Sequence, residues 1–445
     1  MNTVRPRMLY VTPHWRRTMN SHVSLGWFAA IAGLTLACQS DNRLVGPKSL
    51  ATPVLSASRE GVPFAEGLSS PGWQQTARNL VVQARLGPIP AGHAYPLLGV
   101  AQYLAVQRAE TAAGGTDVNA AEVSGDGIGV GGRARLETDR GAVAGASVVV
   151  LSYLFPSQAQ ALEDSVAAQA AAGPGQPHPA FVAGETIGRA VGAEIVARAK
   201  VDGFSKPSTA TPPVGPGYWT SSANPPLPVN GGQLPGVLPW FLTSASQFRP
   251  APPPAFGSAD FGTALAEIRQ ISDTRTAEQV RIATFWALAA GTITGSGFWM
   301  ELASHDVLQH GLSEREATHL YALLSATMAD AQIGCWDAKL TYWLIRPWKA
   351  DLGITVVPAV GMPNHPSYPS GHSCVYASAA EVLSAFFPEE RAQLDAMVIE
   401  AGLSRMYAGI HYRFDIEAGQ GLGRSVARFA IAADASGSSA LTPRY

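Results

Sequence analysis

The chain has 445 residues, 47% of them hydrophobic and 14% charged, with a formal charge of -2. Such a composition fills one large core or two modest ones, and it excludes disordered, collagen-like and low-complexity classes. Near-neutrality leaves no broad field to steer a polyanion, so nucleic acid is excluded as the main partner and any anion site must be local.

At the N-terminus, Arg5, Arg7, Arg16 and Arg17 precede an apolar run over 25–37 that ends at Cys38. This is the order of an export signal: basic region, apolar region, cleavage point. Leu34-Thr35-Leu36-Ala37-Cys38 resembles a bacterial lipobox, with Thr35 where that box usually has Leu. Residues 1–38 therefore read as a signal peptide, with lipid attachment at Cys38 ranked ahead of plain cleavage and of an uncleaved anchor. The expected destination is the periplasm, either free or lipid-anchored to the cell envelope. Membrane contact is expected only through that N-terminal lipid, because the best later apolar run, 284–300, is interrupted by Gly, Ser and Thr.

Residues 39–72, rich in Ser, Pro and Gly, read as a linker. An N-terminal helical bundle is expected over 73–202, from apolar periodicity at three and four residues in 74–84, 95–109, 142–153, 157–171 and 184–200. A glycine-rich run beginning at Gly125 has no apolar strand before it and no helix opening after it, so it reads as a flexible connection rather than a phosphate loop. Residues 203–256 hold 13 of the 33 prolines and cannot form a continuous helix. They predict an ordered, irregular connecting segment.

Helical signals return over 257–435, in 260–271, 275–289, 298–308, 313–344, 374–387, 389–407 and 414–433. Ser313 and Glu316 have capping-box spacing. Without alternating strand patterns, the fold class is all-α: two bundle-like halves joined by the Pro-rich segment. Beyond Cys38, the remaining cysteines, Cys335 and Cys374, leave open a disulfide or two buried thiols, the second being favoured.

Three clusters in the last third carry the convergent cations and imidazoles. In Lys339-Leu-Thr-Tyr-Trp-Leu-Ile-Arg346-Pro347, a continuous helix would set Lys339 and Arg346 on one face about 10 Å apart, able to grip one tetrahedral oxyanion, with Pro347 ending the helix. In His365-Pro-Ser-Tyr-Pro-Ser370-Gly371-His372, a turn opens an apolar helix, so backbone N–H groups and a hydroxyl gather at a positive helix end beside a titratable imidazole. In Ser404-Arg405 and the following Gly409-Ile-His411-Tyr-Arg-Phe-Asp415, the carboxylate falls one helical turn beyond His411, where it can orient the ring, and Arg405 adds a third cation. The histidines His305, His310 and His319 lack an H-E-x-x-H pattern and read as structural.

Together the clusters match K-x6-R-P, P-S-G-H and S-R-x5-H-x3-D. On these residues the chain resembles the type 2 phosphatidic acid phosphatase and vanadium-dependent haloperoxidase superfamily, and its bacterial haloperoxidase-like branch. The resemblance implies an all-α fold with a vanadate or phosphate pocket. In the haloperoxidase version, Lys339, Arg346, Ser370, Gly371 and Arg405 hold vanadate oxygens, His411 is the vanadium ligand and His372 the acid–base, with Lys339 polarising bound peroxide. The implied substrates are hydrogen peroxide, a halide and a small organic acceptor. In the phosphatase version, the same pocket takes phosphate, His411 becomes the nucleophile of a phosphohistidine intermediate and His372 protonates the leaving alcohol. These residues alone do not separate the two chemistries. Trp336, three residues before Lys339, and His365 resemble halide-pocket positions, the latter being His in bromoperoxidases and Phe in chloroperoxidases, which favours bromide or iodide. The 300 residues from 39 to 338 also resemble the two-bundle haloperoxidase layout, so the haloperoxidase reading ranks first.

Overall fold

The computed structural model describes residues 67–113, 130–171 and 177–442. The predicted signal peptide, Cys38, nearly all of the predicted linker and the start of the glycine-rich run lie outside them. Among the described residues, regular structure is helical apart from two isolated β-bridges. The helices are α1 (Ser70–Gln83), α2 (Pro88–Ala112), α3 (Val130–Leu154), α4 (Ala159–Ala170), α5 (Pro179–Val201), α6 (Ala259–Thr274) and α7 (Ala277–Phe285). They continue with α8 (Thr294–Gln309), α9 (Glu314–Tyr342), α10 (Pro347–Ala350), α11 (Gly371–Phe386), α12 (Arg391–Tyr407) and α13 (Arg413–Ala435). None is long and apolar enough to cross a membrane.

Several helices begin earlier than the periodicity predicts: α3 opens at Val130, inside the glycine-rich run where no helix is expected to open, and the early starts of α1 and α2 have identifiable causes. The start of α1 lies inside the expected linker because the buried Glu314 carboxylate accepts the N–H groups of Ser69 and Ser70, donors that a helix start leaves unsatisfied. Helix α2 starts at Pro88, seven residues before the expected Tyr95, since prolines in a first turn lack only N–H groups that would be unpaired there.

Helices α3 and α5 pack backbone to backbone. Gly141 and Gly145 face the backbone at Phe181 and Glu185, while Gly184 and Gly188 face the carbonyls of Thr138 and Ala142; a methyl group at any of them would overlap a carbonyl oxygen. Helix α9 is buried along most of its length and packs on α2 on one side and on α11 and α13 on the other. Its start has the expected capping box between Ser313 and Glu316.

The end of α9 corrects the expectation that Lys339 and Arg346 share one helix face. Trp343 turns left-handed (φ 49°) and closes the helix on the Lys339 carbonyl. The Pro-rich segment then captures the next residues: the Trp219 N–H donates to the Trp343 carbonyl, and the Ile345 N–H to the Gly217 carbonyl. Pro347 opens α10 instead of ending α9, and Arg346 is its N-cap. Competition from a distant backbone strip, which helical spacing does not encode, decides this break.

The Pro-rich segment contains one short turn of 3-10 helix, Leu234–Gly236, and is otherwise irregular. It is pinned to α9 by the buried Asp330, whose carboxylate accepts the N–H groups of Trp240, Phe241 and Leu242; burial still pushes that carboxyl up to about 6. Cys335 and Cys374 are buried free thiols, not a disulfide.

Candidate functional site

The C-terminal end of α9, the loop before α11, the start of α11 and the loop joining α12 to α13 converge on one cavity of about 360 Å³. Trp336, His365, Gly371, His372, Arg405 and His411 line it, together with apolar residues including Ile89, Leu288, Val360 and Met362. Lys339, Arg346, Ser370 and Asp415 stand immediately behind, each fully buried.

His411 precedes α13, and Asp415 lies in that helix's first turn. The two are therefore not stacked on a helix face; the carboxylate reaches back across the N-terminus, where the helix dipole favours negative charge. His411 Nδ1 is 2.7 Å from Asp415 Oδ2, and Nε2 is 3.1 Å from Arg346 Nη1. A guanidinium only donates, so Nε2 carries the lone pair and Nδ1–H donates to Asp415. Burial, then the charges of Arg346 and Lys339, holds the imidazole well below its ordinary pKa, so it is neutral. Asp415 Oδ2 also accepts from Ser367 Oγ and the Tyr412 N–H, while burial raises its carboxyl to about 6. Gly409, at φ +77°, makes the turn into this loop against the Thr355 carbonyl, where a side chain would collide.

The cations fall into two kinds. Arg346 and Lys339 brace the loops: Arg346 donates to the carbonyls of His365 and Ile410 and to the ring nitrogens of His411 and His365, and the Lys339 ammonium donates to the carbonyls of Pro366, Ser367 and Pro369. Arg405, which lines the cavity, donates through Nε to Ser404 Oγ and through Nη2 to the Ala283 carbonyl. Burial lowers all three, Lys339 to about 8 and the two arginines to about 10.

Ser370 caps α11 and accepts from the Ser373 N–H; its own N–H donates to the Asp415 carbonyl, which ties the second motif to the third. His372 Nε2 donates to the Trp286 carbonyl at 3.0 Å, leaving Nδ1 as its basic atom. Burial, then Arg405, lowers its pKa to about 3. Trp336 and His365 tilt together with centroids 5.1 Å apart, and the single donor of Trp336 goes to the Asn230 carbonyl. Elsewhere, His310 and His319 pair with Glu390 and Asp434 respectively.

Two site residues were missed from sequence. Ser367 lies inside the quoted second cluster, and its hydroxyl holds Asp415. Tyr376 lines the cavity one turn after His372, a spacing that marks a shared helix face.

Four cationic or imidazole groups and a capped helix start around one cavity form an arrangement that can hold an oxyanion. The family model described as "PAP2 superfamily" matches residues 318–435, the span that carries all three motifs. Residues 318–435 thus carry the PAP2 superfamily pattern. The chain is 30% identical over 174 residues to a "Non-specific acid phosphatase" of Providencia stuartii, covering 38% of this chain and 66% of that protein. Its fold is similar to that of a bacterial vanadium-dependent iodoperoxidase, with TM-score 0.68 at 23% identity over 84% of this chain and 98% of that one. It is also similar to a holo-type bacterial vanadium-dependent chloroperoxidase, with TM-score 0.64 at 14% identity over 86% of this chain and all of that one.

Proposed function

We propose that this protein is an exported vanadium-dependent haloperoxidase of the PAP2 superfamily that oxidises bromide or iodide with hydrogen peroxide and passes the halogen to a small organic acceptor. The observation that carries this reading is a neutral His411, its Nε2 lone pair fixed by Asp415, set in a cavity that gathers cations but is walled largely by apolar groups. Support also comes from coverage: the likeness to haloperoxidases extends over both helical halves, whereas the phosphatase relative matches little more than a third of the chain. Export rests on the N-terminal sequence pattern, including Cys38 as the lipid-bearing residue.

The residues fit vanadate. Three cations held in a buried cluster, each lowered by burial, are stabilised by an anion that restores the interaction lost with water. His411 Nε2, whose lone pair Asp415 fixes from the far side of the ring, would ligate the metal, and Arg346, Arg405, Ser370 and the Gly371 N–H would hold the oxygens. When bound, vanadate supplies a Lewis-acidic centre that activates peroxide toward halide without a change of oxidation state.

The chain's own groups then have distinct tasks. Asp415 keeps the proton on His411 Nδ1 and so preserves the lone pair on Nε2. Lys339 fixes the loop carbonyls that shape the cradle, and its positive charge stands behind the oxyanion. His372 is neutral before an anion arrives; an adjacent anion favours its charged form, so Nδ1 takes a proton on binding and can return it during turnover.

Acid phosphatase is the second reading, favoured by the 30% identity to that enzyme. There His411 Nε2 attacks phosphorus and His372 Nδ1 delivers a proton to the departing alcohol. The deciding experiment loads purified protein with orthovanadate and compares peroxide-dependent oxidation of bromide and iodide with hydrolysis of a generic phosphate monoester. Vanadate-dependent halide oxidation is expected. Ester hydrolysis alone under every condition, or halide oxidation without vanadate, overturns the reading.

A further inference from the structure

Gln332, Trp336 and Lys339 follow one another along α9 at spacings of four and three residues, so they form a row on one face, roughly 10 Å from end to end by helical rise. Lys339 ends the row behind the cradle. Trp336 forms its middle, lining the cavity with a ring whose single donor is committed to the Asn230 carbonyl. Gln332 ends the row at the far side, lining the same cavity with 6% of its surface exposed. Its amide has no hydrogen-bond partner among the described residues, yet its atoms keep accessible surface, unlike the Tyr376 hydroxyl.

A second helix makes room for this amide. Gly92 lies inside α2, and a methyl group there would stand 2.5 Å from Gln332 Oε1 and overlap it. Glycine weakens a helix interior relative to alanine, and here the space it leaves is filled by the amide. An aliphatic side chain of the same length would close that wall with no polar group to desolvate. Being uncharged, the amide adds little to the pull of the cations on an oxyanion. Its two donors and one acceptor instead match a neutral hydroxyl, carbonyl or amide.

We propose that Gln332 is the recognition point for the organic substrate. A small aromatic or apolar body lies along the Trp336 ring with its reacting end toward the cradle, and one neutral hydrogen-bonding group at its other end engages the Gln332 amide. Ring against ring supplies affinity without orientation, and the amide supplies the orientation. The substrate class is therefore neutral phenols and comparable hydroxyl- or carbonyl-bearing compounds. The proposal deepens the haloperoxidase reading by naming the acceptor and rests on it for the reaction, while the binding step is measurable without vanadate.

The test titrates phenol and toluene into the full chain without vanadate, with dissociation constants read by ligand-observed NMR. Losing one neutral hydrogen bond predicts that Gln332→Leu binds phenol about three- to tenfold more weakly, while toluene affinity holds or improves. Gly92→Ala, which displaces the amide without changing it, should weaken phenol in the same direction and melt no earlier than the wild type, alanine being the better helix former. Orthovanadate affinity stays within about twofold in both variants, because the amide stands outside the cradle. On loaded protein, Gln332→Leu raises the KM for phenol as acceptor and leaves that for halide in place. Unchanged phenol affinity in Gln332→Leu, or a wild type that binds no phenol, overturns the proposal. Equal losses of phenol and toluene also overturn it, by showing a collapsed wall, and so does a parallel loss of orthovanadate affinity, by placing the amide in the cradle. Phenol binding that follows Gln332 in a protein that oxidises no halide supports the subsite and sinks the haloperoxidase reading instead.

Discussion

The α3–α5 interface and the C-terminal cavity bury their surfaces in opposite ways. Between α3 and α5 the residues at closest approach are glycines, each costing about 1 kcal/mol of helix propensity relative to alanine, and that cost is offset by bringing two backbones into contact. Around the cavity, ammonium, guanidinium, imidazole and carboxylate groups are buried together and satisfied mostly by loop carbonyls. The first arrangement tolerates no added volume; the second tolerates volume but not altered charge or proton position. Stability and chemistry should therefore respond to different substitutions.

The strongest break in that contrast is His411→Ala. It removes the lone pair that Asp415 fixes toward the cations, so turnover should fall by at least about 10³-fold in whichever activity the protein shows. Asp415 keeps its Ser367 and Tyr412 donors, so the thermal midpoint should move little. A variant retaining more than a tenth of wild-type kcat/KM means that the cavity is not the reaction centre. The converse substitution is Gly188→Val, whose side chain would meet the Ala142 carbonyl. Backbone overlap of this kind costs about 3 kcal/mol or more, read as a lower denaturation midpoint, while kcat per folded molecule stays unchanged.

Asp415→Asn sharpens the comparison, because volume is kept and only the charge changes. Ser367, Tyr412 and His411 all meet Oδ2, so an amide oxygen that keeps the first two donors also keeps the His411 Nδ1–H; the NH₂ group takes the unpartnered place of Oδ1, and the negative charge behind the imidazole is lost. Activity should drop about 10- to 100-fold, the usual loss when a group that orients a ligand imidazole is altered. Imidazole ¹⁵N shifts should report an unchanged tautomer; unchanged activity alongside it shows that the Asp415 charge is not needed.

Much of this site was legible because its chemistry lies in short local patterns. Ser370-Gly371-His372 declares a helix start, and Ser313 with Glu316 declares another; the structure has both. The all-α class followed from periodicity in segments long enough to be unambiguous. What spacing concealed was competition from remote chain. The strip Gly217–Trp219 breaks α9 after Tyr342, so Lys339 and Arg346 reach the site from separate elements. Glu314 extends α1 backward by satisfying donors some 240 residues away, for the same reason. Tyr376 was hidden differently: an aromatic residue on an apolar helix face looks like core until its hydroxyl is seen to lack a partner.

The smallest expected effect separates the two kinds of cation by pH. Burial lowers Lys339 to about 8, so free protein carries this charge below that pH and loses it above. A bound oxyanion favours the ammonium and raises its pKa, so binding above about 8 must take up a proton, and affinity falls by at most tenfold per pH unit there. His372, held at about 3, acts with the same sign at lower pH: between that value and its pKa in the complex, binding takes up a second proton. Phosphate affinity should therefore weaken twice as pH rises, with only the alkaline step belonging to Lys339. Because phosphate titrates as well, the quantity to follow is the ratio of wild-type to Lys339→Met affinity, in which the ligand's own protonation cancels. That ratio should be flat below about pH 8 and approach one above it. A ratio independent of pH throughout would show that the ammonium stays charged, held by the carbonyls of Pro366, Ser367 and Pro369 more strongly than burial opposes it.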